Sequence, residues 1–323
     1  HPVRTPRAVG ELVAAGVALR RAARRQGADL VHANSTRAGL AAVVARALGG
    51  PPAVVHVHDR LGASRATRAI ARVLRRGASA LLAISRAVAD DLAAAGPGAP
   101  VHVVHNPIDL ERFDPATTSR DAARAGLGLP AHAPLLGLIA QITPWKGQED
   151  AIRALARVRR EHPEARLLLV GEVKFAERTT SFDNPAYERG LRALVAELGL
   201  TEAVAFWGER DDVPAILAAL DVALVPSWDE PLGRSVLEAM AMGRPVVATA
   251  VGGPAELIED GVTGRLVAPR DPRRWAAVIA ELLGDPTGRE RLGAAARPAV
   301  AGWEKHRYSE RVAHVYRVVL AAP

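Results

Sequence analysis

The chain has 323 residues, 49% hydrophobic and 24% charged, enough apolar material for two ordinary domains and too much for global disorder. It has no cysteine, which excludes disulfides and thiolate metal sites and fits a reducing, cytoplasmic setting; no apolar run reaches the length of a membrane span. The net charge of +7 is uneven, since residues 1–118 hold 16 Arg, no Lys and 8 acidic residues while the remainder is close to neutral. A basic first third suits an anionic membrane surface or an anionic substrate, or is simply a solvated Arg-rich face. Nucleic acid is the weakest partner, because interleaved aromatics are missing there.

Along the chain, short apolar runs alternate with amphipathic stretches. The opening HPVRTPRAVG has no apolar core of the kind a secretory signal needs, and the stretch after it reads as the first helix. DLVHAN, AVVHVH, ALLAIS and VHVVHN read as buried strands, with helices over 36–48, 65–76 and 86–95. Arg65, Arg68, Arg72 and Arg76 follow helical spacing and predict one basic stripe. A loop-rich stretch covers 106–133. The pattern then restarts with LLGLIAQI, RLLLVGE, AVAFWG, VALVPS and PVVAT as strands. Helices are predicted over 148–161, 186–199, 212–219, 233–242 and 272–284. Strand–helix alternation implies parallel sheets covered by helices. The reading is a first domain over 1–118, a second over 119–303, and a C-terminal helix over 304–323 packing back on the first.

Open parallel sheets bind ligands at the carboxyl ends of their strands. Polar residues gather there: Asn34-Ser35, His58-Asp59, Ser85, Asn106, Gln141 to Lys146, Gly171-Glu172, Gly208-Glu209, and Ser227 to Glu230. The G-x-G-x-x-G, Walker A, G-x-S-x-G and H-E-x-x-H motifs are absent, so nicotinamide enzymes, P-loop NTPases, serine hydrolases and zincins lose support.

PSWDEPLGRSVLEAMAMGRPVVAT places Glu230 before an apolar helix and Glu238 inside it. With Pro231 in the first turn, the helix would begin near Leu232, leaving the amides of Leu232, Gly233 and Arg234 free to hold an anion. Glu238 would lie about 9 Å along the axis. Two carboxylates flanking a phosphate site suit the hydroxyls at the two ends of a nucleotide sugar. The plain alternative is one Glu favoured by the helix dipole and one solvated Glu.

The segment EPLGRSVLEAMAMGRPVVATAVGGPAELIEDGVTGRLV resembles the E-x7-E region of retaining glycosyltransferase family 4. DLVHANS, VVHVHD, LLAISRAVADDL and VHVVHNPIDLERF resemble its acceptor-side domain. QITPWKGQEDAI, LLLVGE and FWGERDDVPAILAALDVALVPSWDEPLG resemble its donor-side domain, in the same order. The resemblance implies the GT-B fold: two Rossmann-like, doubly wound parallel-sheet domains facing a central cleft. It implies transfer of a sugar from a nucleotide-diphosphate sugar, without a metal or other cofactor. By the same likeness Glu230 contacts the transferred sugar, Glu238 the ribose, and amides around Leu232, Gly233 and Arg234 the sugar and distal phosphate. Lys146 falls on the diphosphate-binding lysine, and His58 on the histidine near the reacting sugar. His58 could equally be a satisfied strand-end histidine, and His56 shares its strand face.

Three departures stand out. The chain opens on HPVRTPRAVGELVAAGVALRRAARRQG, read as loop and first helix, so the family's first strand and glycine-rich loop have no counterpart. The first domain is expected to lack that strand, as in a truncated or incompletely represented chain. The arginine of the diphosphate loop is Gln141, which can donate a hydrogen bond but brings no charge. Arg234, in the first turn of the phosphate helix, either supplies that charge or simply points into solvent or pairs with Glu230 or Asp229. Finally, GEVKFAERTTSFDNPAYERG is long, and its Phe, Asn and Tyr form a lid or a packed surface loop. The acceptor is left open, with lipid-linked or anionic compounds and a peripheral membrane contact as expectations. The competing readings are a non-catalytic sugar-nucleotide-binding subunit and a GT-B phosphorylase or epimerase.

Overall fold

A computed structural model describes residues 6–62, 64–174 and 182–322. The chain divides into two compact units, residues 1–107 with 305–323 and residues 108–304.

The first unit opens with α1 (Pro6–Arg25). It continues through β1 (Val31–Ala33), α2 (Thr36–Ala47), β2 (Ala53–Val57), α3 (Arg65–Gly77), β3 (Ala80–Ala83), α4 (Arg86–Ala93) and β4 (Val101–Val103). The four strands are parallel in the order β1-β2-β3-β4. Helix starts follow the sequence closely. Ser35, Ser64 and Ser85 each accept a hydrogen bond from a first-turn amide and so cap α2, α3 and α4.

The second unit has α5 (Arg120–Gly126), β5 (Leu135–Ile139), α6 (Gln148–Val158), β6 (Arg166–Val170), α7 (Asn184–Glu197), β7 (Val204–Phe206), α8 (Val213–Ala219) and β8 (Val222–Val225). After these come α9 (Arg234–Ala241), β9 (Val246–Thr249), α10 (Pro254–Leu257), β10 (Arg265–Val267), α11 (Pro272–Gly284) and α12 (Pro286–Ala299). Its six parallel strands run β10-β9-β8-β5-β6-β7. The order reverses between β5 and β8, and at such a switch point the loops leaving the two strands splay apart and open a crevice. At the amino ends of the same strands, Asp221 accepts from the Leu135 amide (2.7 Å) and from the buried Arg124 (2.8 Å).

The last helix, α13 (Lys305–Ala321), belongs to the first unit. Val312, Val315 and Val319 pack on Val54, Ala80 and Leu82, covering one sheet face. Residues 108–118, which the sequence reading gives to the first domain, pack with the second unit. The Ile108 amide donates to Trp303 (2.8 Å), and Arg297 donates to the Phe113 carbonyl (2.8 Å) and pairs with Asp114 (3.3 Å). The elements α5, α10, α12 and β10 are additional to those read from the sequence. No helix among the described residues is long and apolar enough to cross a membrane.

Candidate functional site

At the switch point of the second unit, the loop after β5 carries Lys146 and the loop after β8 carries Glu230. Their side chains meet at 2.6 Å, and Ser227 Oγ donates to the same Glu230 oxygen at 2.8 Å. Both charged side chains are largely withdrawn from water, Lys146 at 14% exposure and Glu230 at 7%. The Lys146 ammonium also sits 4.2 Å from the centre of the Trp145 ring. Behind the pair, the Trp228 amide donates to the Trp145 carbonyl (2.8 Å), and the Trp228 indole donates to Asp150 (2.8 Å). Burial pushes the Asp150 carboxyl up, and the indole hydrogen bond opposes it. Gln141 contributes its carbonyl, which accepts from Gln148 at 2.8 Å.

The helix after Glu230 starts later than expected. Gly233 is the N-cap, with a left-handed backbone (φ 91°), and α9 begins at Arg234 rather than near Leu232. Pro231 therefore lies outside the helix, Leu232 is buried, and the amides left free by helix geometry begin at Arg234. The Glu230–Leu232 loop is braced from behind. The Gly253 amide donates to the Glu230 carbonyl at 2.9 Å, and a Cβ at Gly252 would overlap that carbonyl. Glu238 is mostly buried on α9. Burial raises its pKa, while Arg234 and Arg112 pull it back. Arg234 is 75% exposed, and its side chain lies 3.5 Å from Glu238.

In the first unit, His58 follows β2 and its Nε2–H donates to Asn34 Oδ1 at 2.8 Å, after β1. Beside it stands His56, fully buried, with both ring nitrogens lacking a hydrogen-bond partner. The His56 ring centre is 4.3 Å from that of His58, 5.7 Å from that of His32, and 6.2 Å from Tyr308 on α13. His32 in turn is hydrogen-bonded to Tyr316. Burial drives His56 down to about 3, reinforced by His58 and His32, with slight compensation from the Val104 backbone. His58 is also lowered by burial, against the pull of Asp59.

The structure thus brings Lys146 and Glu230 into contact and sets Arg234 beside Glu238. Asn34 and Ser227 were visible only as polar strand-end residues, and their partners were not. Trp145, Trp228, Asp150 and the Gly252-Gly253 turn lie in stretches that resemble the family, but the sequence reading gives none of them a role of its own. In the long β6–α7 connection, residues 175–181 and so Phe175 lie outside the described residues. Asn184 is buried in the first turn of α7, and Tyr187 accepts from the Glu149 amide at 3.3 Å, so these two are packed against the unit.

Residues 119–298 match the family profile described as glycosyl transferases group 1, and residues 1–112 match that of glycosyltransferase family 4. A D-inositol 3-phosphate glycosyltransferase of Salinispora arenicola is 33% identical over 97% of this chain and 74% of its own length. One of Saccharomonospora viridis is 36% identical over 69% of this chain, which spans about half, 51%, of that relative. Among solved structures, Anabaena HepE in complex with UDP-glucose superposes with a TM-score of 0.84, at 29% identity over 94% of this chain and 82% of that one. Sucrose-phosphate synthase from Thermosynechococcus elongatus gives a TM-score of 0.84 at 26% identity, over 95% of this chain and 78% of that one. Two parallel-sheet units with these relatives make the fold GT-B, and the chain belongs to the group 1, family 4 glycosyltransferases.

Proposed function

We propose that this glycosyltransferase moves a sugar from a nucleotide-diphosphate sugar to an anionic acceptor, with retention of anomeric configuration. The observation that carries the reading is the Lys146–Glu230 pair at the β5/β8 switch point, next to the amino end of α9. In this reading Lys146 turns from Glu230 to the donor diphosphate, helped by the Leu232 and Gly233 loop amides and the free amides that begin at Arg234. Glu230 then accepts hydrogen bonds from the transferred sugar, and Glu238 from the ribose. Gln141 lines the phosphate loop without charge. His58, held by Asn34 and kept neutral by burial, acts at the reacting sugar. No metal is assigned a role in neutralising the leaving diphosphate. The capture of UDP and UDP-glucose by HepE makes uridine nucleotide-sugars the first donors to test.

The relatives' inositol phosphate activity supports a phosphorylated polyol as acceptor. A cavity of about 620 Å³ in the first unit, lined by Arg7, Glu11, Ser35 and Arg37 among others, has the charge to receive one. The exposed Arg65, Arg68, Arg72 and Arg76 stripe on α3 suits contact with an anionic membrane.

The test is a contrast between carboxylates. Glu238→Ala is expected to weaken UDP and UDP-sugar alike, by about 1.5–3 kcal/mol for a lost charged hydrogen bond. Glu230→Ala and His58→Ala are expected to lose turnover while keeping most UDP affinity. Calorimetry showing unchanged UDP affinity in folded Glu238→Ala removes the ribose role. Wild-type turnover in either other variant removes that residue from the chemistry.

A further inference from the structure

We infer that the second unit carries an additional anion-binding groove, suited to a ligand with two or more phosphate groups, along α6 and the start of α11. A cavity of about 430 Å³ is lined by Arg153, Arg157, Arg160, Arg270 and Arg273, with Asp271 the one acidic residue among its lining. Arg153 and Arg157 stand one helical turn apart on α6, and Arg160 follows three residues on. Like charges at this spacing oppose the bare helix. Arg270 and Arg273 bring two more guanidinium groups from the loop after β10 and the first turn of α11.

Three carboxylates lie close to these five arginines, and they serve only some of them. Asp271 is committed as the N-cap of α11, accepting from the Arg274 amide at 3.0 Å. Glu149 pairs with Arg153 at 2.8 Å, and Asp150, hydrogen-bonded to the Trp228 indole, feels the charges of Arg270 and Arg153. Among the described residues, Arg157, Arg160 and Arg273 have no ion-pair partner. The groove's rim is also fixed. Arg270 is the one non-glycine residue with a left-handed backbone among those described (φ 59°), and its guanidinium lies 4.0 Å from the centre of the Trp228 ring. Holding a non-glycine residue there is costly, and here it plants a cation at the edge of a concavity. Concave walls of one sign focus the field, and the guanidinium fork matches phosphate oxygens in pairs. Five such groups around one groove exceed what a neutral sugar or a single carboxylate would require.

The groove is distinct from the proposed reaction centre, since Lys146, Glu230 and Glu238 do not line it, although Arg270 rests on the Trp228 ring behind the Lys146–Glu230 pair. Its ligand is either a free polyphosphorylated small molecule or the phosphate headgroups of an anionic bilayer. The test titrates the whole chain with sodium tripolyphosphate in the presence of excess UDP, for wild type and Arg157→Ala/Arg160→Ala/Arg273→Ala. All three side chains are on exposed residues, and the single variant Arg160→Glu serves if the triple variant folds poorly. The variants are expected to bind at least tenfold more weakly. Equal affinity in wild type and variants, or full displacement of tripolyphosphate by UDP, overturns the proposal. Co-sedimentation with phosphatidylcholine vesicles containing one third phosphatidylglycerol separates the sources. Loss of sedimentation in the triple variant assigns the headgroups, and tripolyphosphate binding without sedimentation assigns a free polyphosphate.

Discussion

The two units bury polar groups at the ends of their central strands by opposite means. In the second unit Lys146 and Glu230 form an ion pair, with Ser227 donating to the same Glu230 oxygen. In the first unit burial holds His56 neutral among His32, His58 and Tyr308, with no side-chain hydrogen-bond partner. A paired site is vulnerable to loss of one partner, because the other is left buried and uncompensated. A neutralised site is indifferent to partners and vulnerable to protons. This contrast makes specific demands.

The largest effect is expected from stranding a charge. Lys146→Ala leaves the Glu230 carboxylate buried with Ser227 as its remaining side-chain donor, and should cost about 3–5 kcal/mol in urea unfolding. Adding Glu230→Gln removes the stranded charge and should restore much of that loss. If the double variant is no more stable than the single, the cost is packing and the pairing argument fails.

Acid attacks the other unit. The folded pKa of His56 is depressed to about 3, below the ordinary 6.5, so the unfolded chain takes up the proton first. Its stabilising contribution is complete above pH 6.5 and is lost as pH falls from there toward about 3. The slope is about 1.4 kcal/mol per pH unit, so acidification from 6.5 to 5 should cost roughly 2 kcal/mol from this group. His32 and His58, also lowered by burial, act with the same sign, with Asp59 opposing at His58. His56→Phe should flatten the urea midpoint over that range. An unchanged slope would place the acid sensitivity elsewhere.

A smaller effect sharpens the picture at His58. Asn34→Ala removes the acceptor that fixes the Nε2–H tautomer, at a stability cost of about 1 kcal/mol or less. Ring nitrogen shifts measured by NMR should move from one tautomer to a mixture. The smallest belongs to Arg234, whose exposed contact with Glu238 is worth about 0.5 kcal/mol or less. Arg234→Ala should leave stability nearly untouched. If it weakens donor binding, and Gln141→Arg restores part of the loss, Arg234 supplies the charge missing at 141. Untouched donor affinity leaves that work to Lys146 and α9.

Much of the fold was legible because its signals are local. VVHVH, LLLVG and VALVP are buried runs of strand length, whereas Ser35 and Ser85, read from the sequence as strand-end polar residues, are spent as helix caps. The parallel sheets could be anticipated from strand–helix alternation, and Lys146 and Glu230 from their loops and their likeness to a family. What escaped depends on contacts distant in sequence or on backbone state. Pro231 looks like a helix opener, yet Gly233 in the left-handed region delays α9 by two residues. His56 and His58 look alike in sequence, yet one is sealed inside while the other reaches Asn34. Residues 108–118 read as the tail of the first domain until Arg297 is seen holding Phe113 and Asp114.

The Gly252-Gly253 turn has a consequence for anyone wishing to move this chemistry elsewhere. The shape of the Glu230 loop is dictated by a backbone that arrives only after β9, pressed so close that no side chain fits between them. The stretch from Pro226 to Glu238 is therefore not a transplantable cassette. Grafted alone onto another sheet it would lack its mould. The loop therefore reports on more than its own sequence: any change that shifts β9 or the turn after it should move Glu230 as well.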